Sequence, residues 1–355
     1  MQNFWFGKKV FVTGHTGFKG SWLSLWLQYL GADVTGYALA SPTCPSLFEL
    51  AQVNKGMNSV EGDIRDIEKL KNELLKSKAE IVFHMAALPL VLDSYINPVE
   101  TYSTNVMGTV NLFEAIRSCE SIISVVNVTT DKCYENQELI RGYKENDILG
   151  GFDPYSNSKA CSELITSAYR SAFFGSKPSS IQKVYLASAR AGNVVGGGDW
   201  SKHRLIPDII KSIETGDKIF LRNPNSIRPW QHVLDSLNGY MILAQKLFEN
   251  GNNFAEAWNF GPLADDAKSV AWITEKMIDI WGSNSTWFST SFDSFHESTF
   301  LTLDTSKSQQ RLNWHPRLTI ENSLTFVVDW AKDYYHKKNI KETTINQIIQ
   351  FQSLL

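Results

Sequence analysis

Cysteine is scarce: Cys44, Cys119, Cys133 and Cys161 stand far apart in a chain of 355 residues. No two form a Cys-x-x-Cys pair and no histidine cluster accompanies them, which argues against a metal site and against a disulfide framework. Scattered thiols suit a reducing cytoplasm, the compartment expected here. Long apolar runs are missing as well. No uncharged stretch approaches the ~20 residues that cross a bilayer, so no membrane association is expected. The opening Met1-Gln2-Asn3-Phe4-Trp5-Phe6-Gly7-Lys8-Lys9 lacks the basic start and apolar stretch of a secretory leader. Neither sign of charge dominates. A net charge of -3 gives no electrostatic footprint for nucleic acid. Internal repeats and low-complexity segments are absent.

What is present is a globular composition, with 43% hydrophobic and 20% charged residues. The length exceeds that of a usual single core, so a large domain with a smaller second lobe, or two domains, is expected. Val10-Phe11-Val12-Thr13 reads as a buried parallel strand. Gly14-His15-Thr16-Gly17-Phe18-Lys19-Gly20 follows, then Leu23, Leu27 and Leu30 at helical spacing, with Gly31 closing the helix. Further strands are read at 33–38, 81–84, 122–128 and 184–189, and helices at 105–117 and 155–174. This alternation implies an α/β fold: a Rossmann-type, doubly wound parallel sheet. After residue 191 the texture turns loop-rich. The expected division is a nucleotide-binding domain over 1–190, to which 233–262 returns, and a smaller mixed α/β C-terminal substrate lobe over 191–232 and 263–355. The polar, Gln-rich tail after Lys337 reads as a loosely packed end.

Gly14, Gly17 and Gly20, between a strand and a helix, make a dinucleotide-type turn. The backbone can approach a pyrophosphate there, and the helix N-terminus offers free N–H groups and a positive dipole end. The acidic residue that usually holds the ribose hydroxyls about 20 residues on is missing. Gly36-Tyr37-Ala38-Leu39 stands there instead, which leaves NAD and NADP both open. Asp63-Ile64 falls in order beside the adenine; the plainer reading of Asp63 is a loop cap. Tyr155 and Lys159 share a helix face. A phenol with a pKa near ~10 is a poor base, and a neighbouring ammonium is expected to lower it. The pair can then take a hydroxyl proton while hydride leaves the same carbon. Thr130 follows a parallel strand's carboxyl end, where such sheets place active groups. Asp131 and Lys132 beside it can serve a second proton transfer, or be two solvated loop charges.

These residues resemble the CDP-glucose 4,6-dehydratases, extended short-chain dehydrogenase/reductases of the NAD-dependent epimerase/dehydratase type. The matching stretches include Gly14-His15-Thr16-Gly17-Phe18-Lys19-Gly20-Ser21-Trp22-Leu23, Thr104-Asn105-Val106-Met107-Gly108-Thr109, Thr130-Asp131-Lys132-Cys133-Tyr134-Glu135-Asn136 and Pro154-Tyr155-Ser156-Asn157-Ser158-Lys159. Gly192-Asn193-Val194-Val195-Gly196-Gly197-Gly198-Asp199-Trp200 and Arg228-Pro229-Trp230-Gln231-His232-Val233 extend the likeness over nearly the whole chain. The Asp-Lys pair is the specific mark, since related dTDP-glucose enzymes carry Asp-Glu there.

The resemblance implies NAD as cofactor, held by Gly14, His15, Thr16, Gly17, Phe18, Lys19, Gly20, Asp63, Ile64, Ala86, Ala87, Asn105, Tyr155 and Lys159. It implies that Tyr155, with Lys159 and Thr130, removes the proton of the glucose 4-hydroxyl. Lys132 then assists removal of the proton on carbon 5, and Asp131 protonates the departing 6-hydroxyl. Asn193 and Arg228 are implied to contact the substrate pyrophosphate, with His232 nearby or serving a structural role. The expected function is dehydration of CDP-glucose for deoxysugar synthesis of the O-antigen or lipopolysaccharide type. A 4-epimerase, a dehydratase of another nucleotide sugar, and a nucleotide-binding member with reduced or lost activity are the alternatives. A homodimer is expected through helices 105–117 and 155–174 of each subunit, in a four-helix interface. The chain departs from the pattern at Leu88 and Leu92, where relatives carry an amide and an arginine. A lost donor costs ~1–3 kcal/mol when its partner is left unpaired.

Overall fold

The computed structural model describes residues 2–139, 141–175, 183–290 and 301–355. Its strands are β1 (Lys9–Thr13), β2 (Asp33–Ala38), β3 (Asn58–Glu61), β4 (Ile81–His84), β5 (Ser124–Val128), β6 (Tyr185–Ala191), β7 (Asn193–Val195), β8 (Ile219–Phe220), β9 (Ile227–His232), β10 (Ala257–Phe260), β11 (Ala267–Ser269) and β12 (Trp287–Phe288). The helices are α1 (Gln2–Trp5), α2 (Phe18–Tyr29), α3 (Leu47–Leu50), α4 (Ile67–Ser77), α5 (Val91–Ile96), α6 (Pro98–Tyr102), α7 (Gly108–Ile116), α8 (Pro154–Ala172), α9 (Leu205–Thr215), α10 (Val233–Asn250), α11 (Val270–Trp281), α12 (Ser306–Leu312), α13 (Ile320–Tyr335) and α14 (Ile340–Gln352). Among the described residues no helix is long and apolar enough to cross a membrane.

Seven strands form one parallel sheet in the order β10-β6-β5-β4-β1-β2-β3. The period of two along each strand sends alternate side chains to opposite faces. Val10, Val12, Phe83, Val126 and Ala187 meet Trp22 and Trp26 of α2 and Leu237 and Met241 of α10. Phe11, Val82, Val125 and Leu186 meet Leu70 and Leu74 of α4 and Leu112 and Phe113 of α7. Because both faces are covered, the central strands β1, β4 and β5 are buried along almost their whole length, and the doubly wound α/β class follows. The chain order reverses between β1 and β4, which opens a crevice at the carboxyl ends of the strands.

Beyond β6, β7 and β11 flank β9 in a three-stranded mixed sheet, and β8 pairs with β12. Helices α9, α11 and α13 share a second core of Ile206, Ile209, Ile273, Met277, Leu324 and Val327. The helix expected over 105–117 begins differently. Residues 103–107 wind as a π turn before α7, and the Thr109 hydroxyl donates to the Asn105 carbonyl at 2.7 Å.

The tail departs from the expectation of a loose end. α14 is capped by the Asn339 side chain and buries Ile340, Ile348 and Phe351. Phe351 meets Trp26 edge-on at 5.6 Å, and Trp330 donates to the Thr344 hydroxyl at 3.0 Å. The glutamines sit between apolar residues at helical spacing, so composition hid an amphipathic stripe.

Candidate active site

One cleft of about 1830 Å³ runs along the carboxyl ends of the sheet strands, from the glycine turn to the 192–230 segment. That exceeds the ~300–1,000 Å³ of a site for one small ligand and suits two ligands end to end. The turn at its head is built by contact. Gly14 has φ +77°, and a Cβ at Gly20 would stand 2.1 Å from the Gly14 carbonyl oxygen. Gly17 caps α2 without a side-chain hydrogen bond, so no side chain takes up the first N–H groups of the helix. Gly14, Thr16, Gly17, Phe18, Lys19 and Gly20 line the cleft.

His15 does not line it, contrary to its expected cofactor contact. Its ring turns inward, bonds the Ser59 hydroxyl at 2.7 Å and meets Phe48 edge-on at 5.3 Å. A Cβ at Gly36 would fall 2.3 Å from that ring, which is why β2 carries glycine there. Burial brings the imidazole down to about 4. At the end of β2 the cleft is lined by Tyr37, Ala38 and Leu39, with no carboxylate among them. Asp63 and Ile64 do line it, but the Asp63 carboxylate is already held by the Arg65 guanidinium at 2.6 Å, which keeps its pKa low. Ala86 and Ala87 form the opposite wall.

Asn105 is buried off the cleft. Its amide grips the backbone of Leu88, accepting from the N–H at 2.8 Å and donating to the carbonyl at 3.1 Å, and also donates to the Ser158 hydroxyl. The expected cofactor contact of Asn105 is thus replaced by a loop-holding one. Leu88 and Leu92 themselves face the cleft.

The reacting groups come from β5 and α8. Asp153 caps α8 through the Ser156 N–H, and Pro154 opens it. Tyr155, Lys159 and Glu163 then follow at successive turns on one buried face. Lys159 donates to the Val128 carbonyl at 3.2 Å, and burial lowers its ammonium to about 8. Tyr155 is raised to about 12 by burial, opposed by a hydrogen bond with Thr130 and by Arg204. The expected lowering of the phenol by Lys159 is therefore outweighed: desolvation of the phenolate is the larger effect. Thr130 also donates to Asp131 Oδ1 at 3.0 Å. Asp131 is 1% exposed, and its Oδ2 has no hydrogen-bond partner among the described residues. Burial raises its carboxyl pKa, against Lys132, Thr130, Arg228 and Lys19. Half-buried Lys132 lines the same cleft.

Asn193 and Arg228 line the far end of the cleft, whereas His232 does not reach it. His232 ends β9 and caps α10, accepting from the Leu234 N–H at 3.3 Å. Its ring lies between Trp22 and Phe326, and burial lowers it to about 3. Sequence reading missed a buried pair behind Lys159. Glu163 meets Arg190 at 2.8 Å and accepts from Thr129 and Ser188. Arg190 in turn donates to the Tyr134 hydroxyl at 2.7 Å. Position 163, eight residues beyond Tyr155 on the same face, was the available signal. Lys19, whose ammonium burial lowers to about 7, and Arg204, paired to Asp199 at 3.0 Å, add positive charge to the cleft.

The family model described as GDP-mannose 4,6 dehydratase matches residues 11–325. The CDP-glucose 4,6-dehydratase of Salmonella typhimurium is 53% identical, covering 99% of this chain and 98% of that one. Among solved structures, the Bacillus anthracis dTDP-glucose 4,6-dehydratase in complex with NAD superposes with a TM-score of 0.76 at 22% identity, covering 94% of this chain and all of that one. The Thermotoga maritima UDP-glucose 4-epimerase with UDP-glucose gives 0.78 at 20% identity, over 92% of this chain and 99% of its own.

Proposed function

The chain belongs to the GDP-mannose 4,6 dehydratase family, and from that premise we propose that it dehydrates CDP-glucose to CDP-4-dehydro-6-deoxyglucose with a bound NAD. The observation that carries this reading is Asp131: a buried carboxyl with a raised pKa that accepts from the Thr130 hydroxyl, in the cleft that Tyr155 also lines. An oxidoreductase alone needs no such acid, whereas an elimination does. NAD fits the glycine turn, where any Cβ at Gly14 or Gly20 would strike backbone under 3 Å away. Gly14, Thr16, Gly17, Phe18, Lys19, Gly20, Ile64, Ala86 and Ala87 would hold it there. When bound, it takes hydride from sugar carbon 4 and returns it to carbon 6.

Tyr155 receives the 4-hydroxyl proton, and the Lys159 charge favours the phenolate. The ketone at carbon 4 acidifies the proton on carbon 5, and Lys132 assists its removal. Asp131, whose carboxyl pKa is raised by burial, donates to the departing 6-hydroxyl. Asn193 and Arg228 hold the substrate pyrophosphate, a role that suits the forked donors of arginine. Residues 1–190 with 233–262 form the cofactor half, and 191–232 with 263–355 the sugar-nucleotide half. The exposed Val99, Met107 and Leu164 on α6, the π turn and α8 support a homodimer through these helices. A cytoplasmic role in deoxysugar synthesis of the lipopolysaccharide type completes the reading.

Incubation of the NAD-loaded protein with CDP-glucose is expected to give a base-labile 4-keto chromophore and a solvent-derived hydrogen at carbon 5. Folded, NAD-loaded protein that yields neither overturns the reading. An epimeric product that keeps its oxygen on carbon 6 replaces it with the 4-epimerase reading.

A further inference from the structure

The two groups assigned to elimination, Asp131 and Lys132, stand on one short turn, Asp131–Cys133, between the end of β5 and Tyr134. The turn's own bonds are long. The Lys132 N–H reaches the Thr130 hydroxyl at 3.3 Å, the Cys133 N–H the Thr130 carbonyl at 3.5 Å and the Tyr134 N–H the Asp131 carbonyl at 3.4 Å. Bonds of this kind are commonest near ~2.9–3.0 Å, and a single turn of 3₁₀ helix has poor bond geometry to begin with. A carboxyl and an ammonium that must meet particular sugar carbons need firmer support from outside the turn.

One buried ion pair reaches both ends of it. Glu163 of α8 accepts from the Thr129 hydroxyl, and from Ser188 at 2.6 Å and Arg190 at 2.8 Å on one face of β6. Arg190 also donates to the Tyr134 hydroxyl at 2.7 Å and to the Glu145 carbonyl at 3.0 Å, and its guanidinium stands 4.9 Å from the Tyr134 ring centre. The Tyr134 hydroxyl in turn donates to Asn259 of β10 at 2.8 Å. The carboxylate thus holds the residue before segment 130–133, and the guanidinium holds the residue after it. Backbone bonds complete the frame: the Thr129 N–H donates to the Ala189 carbonyl and the Gly150 N–H to the Cys133 carbonyl, each at 2.9 Å. The Arg190 and Glu163 side chains are 3% and 2% exposed. Taking both charges out of water is costly, and apolar residues of like volume often serve stability as well. Apolar residues could not aim hydrogen bonds at two separate points of a loop. Tyr155 is anchored elsewhere: its N–H donates to the Ser94 hydroxyl at 3.1 Å, and Asp153 caps its helix.

We propose that Glu163 and Arg190 are positioning residues for the elimination: as one ion pair they fix both ends of segment 130–133 and so set Asp131 and Lys132 against the sugar. The inference rests on the dehydratase reading. Neither Glu163 nor Arg190 lines the cleft, so they act through the turn between their contacts. The chemistry divides accordingly. Removal of hydride from carbon 4 uses Tyr155 and Lys159, which α8 places. Loss of the 6-hydroxyl uses Asp131 and Lys132, which the pair places. Loosening the frame slows the second without the first. Thr130, which assists Tyr155, leads straight from β5, so release at the Tyr134 end is the sharper probe.

The test leaves the pair itself intact, since removing one partner of a buried pair endangers folding. Tyr134→Phe cuts the guanidinium's hold on the segment, and Thr129→Val cuts the carboxylate's, with Thr129→Ser as the restoring variant. Two substrates separate the steps in the NAD-loaded protein. CDP-6-deoxyglucose has no group to eliminate, so the absorbance of reduced nicotinamide reports hydride removal alone. Single-turnover formation of the 4-keto product from CDP-glucose reports elimination as well. In Tyr134→Phe and Thr129→Val the ratio of product formation to hydride removal is expected to fall at least about 10-fold, toward the ~100-fold that a misplacement of about 1 Å costs. Thr129→Ser restores the wild-type ratio. A ratio unchanged in either variant, equal slowing of both steps included, overturns the proposal. Amide hydrogen exchange of the free protein gives a readout without turnover. Residues 130–134 are expected to exchange about 3- to 10-fold faster in both variants, as the loss of one hydrogen bond allows, with 155–163 as in wild type. Unchanged exchange over 130–134 overturns the proposal as well. A wild type that forms no 4-keto product removes the dehydratase reading and this role with it, whereas a turning-over wild type whose variants keep its ratio removes the role alone.

Discussion

Single buried side chains around the cleft are held in protonation states that differ from those in water. His84 closes β4 with both ring nitrogens in use, Nδ1 to the Thr13 hydroxyl at 2.8 Å and Nε2 to Thr109 at 3.1 Å. Burial lowers it to about 3, so the folded protein keeps it neutral. The unfolded chain protonates it below its ordinary value of 6.5. Folding then releases a proton, and stability contributed at this site falls as pH drops from 6.5 toward 3. His84→Asn removes that dependence. The stability gap between wild type and variant, by urea unfolding, is expected to shrink by about 2 kcal/mol between pH 7 and pH 5. A pH-independent gap contradicts the neutral, buried imidazole. Asp131 is biased the opposite way for an anion: burial raises its carboxyl pKa and favours the protonated form, against Lys132, Thr130, Arg228 and Lys19.

At the scale of elements, the β1-turn-α2 unit makes the sharpest demand on sequence. Gly20→Ala would drive a methyl group into the Gly14 carbonyl, and backbone cannot yield as a flexible side chain can. NAD affinity by calorimetry is expected to fall at least about 100-fold, equivalent to the loss of two or more backbone contacts of ~1–1.5 kcal/mol each. Unchanged affinity contradicts the cradle. This unit, with β2, β4 and the Tyr155–Lys159 face, was legible because strand and helix periods and glycine spacing are local. Asp131-Lys132 was legible by order alone, following a strand's carboxyl end. The directions of His15 and His232 were not, since a motif places a backbone and says nothing of which way a ring turns. The Glu163–Arg190 pair joins α8 to β6, and only the packed fold brings its partners together. The phenol of Tyr155 was misjudged because desolvation depends on everything packed around it, while its neighbour Lys159 is visible at four residues' distance.

For the whole molecule, one cleft is lined both by the carboxyl ends of the sheet strands and by the 192–230 segment beside the second core. Val99 of α6, Met107 of the π turn and Leu164 of α8 are among the exposed apolar side chains, Val99 at 82% and Leu164 at 58%. Leu164→Arg is expected to convert the proposed dimer to monomer by light scattering while leaving the circular dichroism spectrum unchanged. A wild-type monomer at micromolar concentration contradicts the interface. The seating of α14 on α2 has a consequence in time. Trp26 lies early in the chain, yet its cover, Phe351, lies in α14. At ~5–20 residues per second of synthesis, about 15–60 s separate the emergence of the two helices. Throughout that interval Trp26 lacks the ring that meets it edge-on in the finished fold.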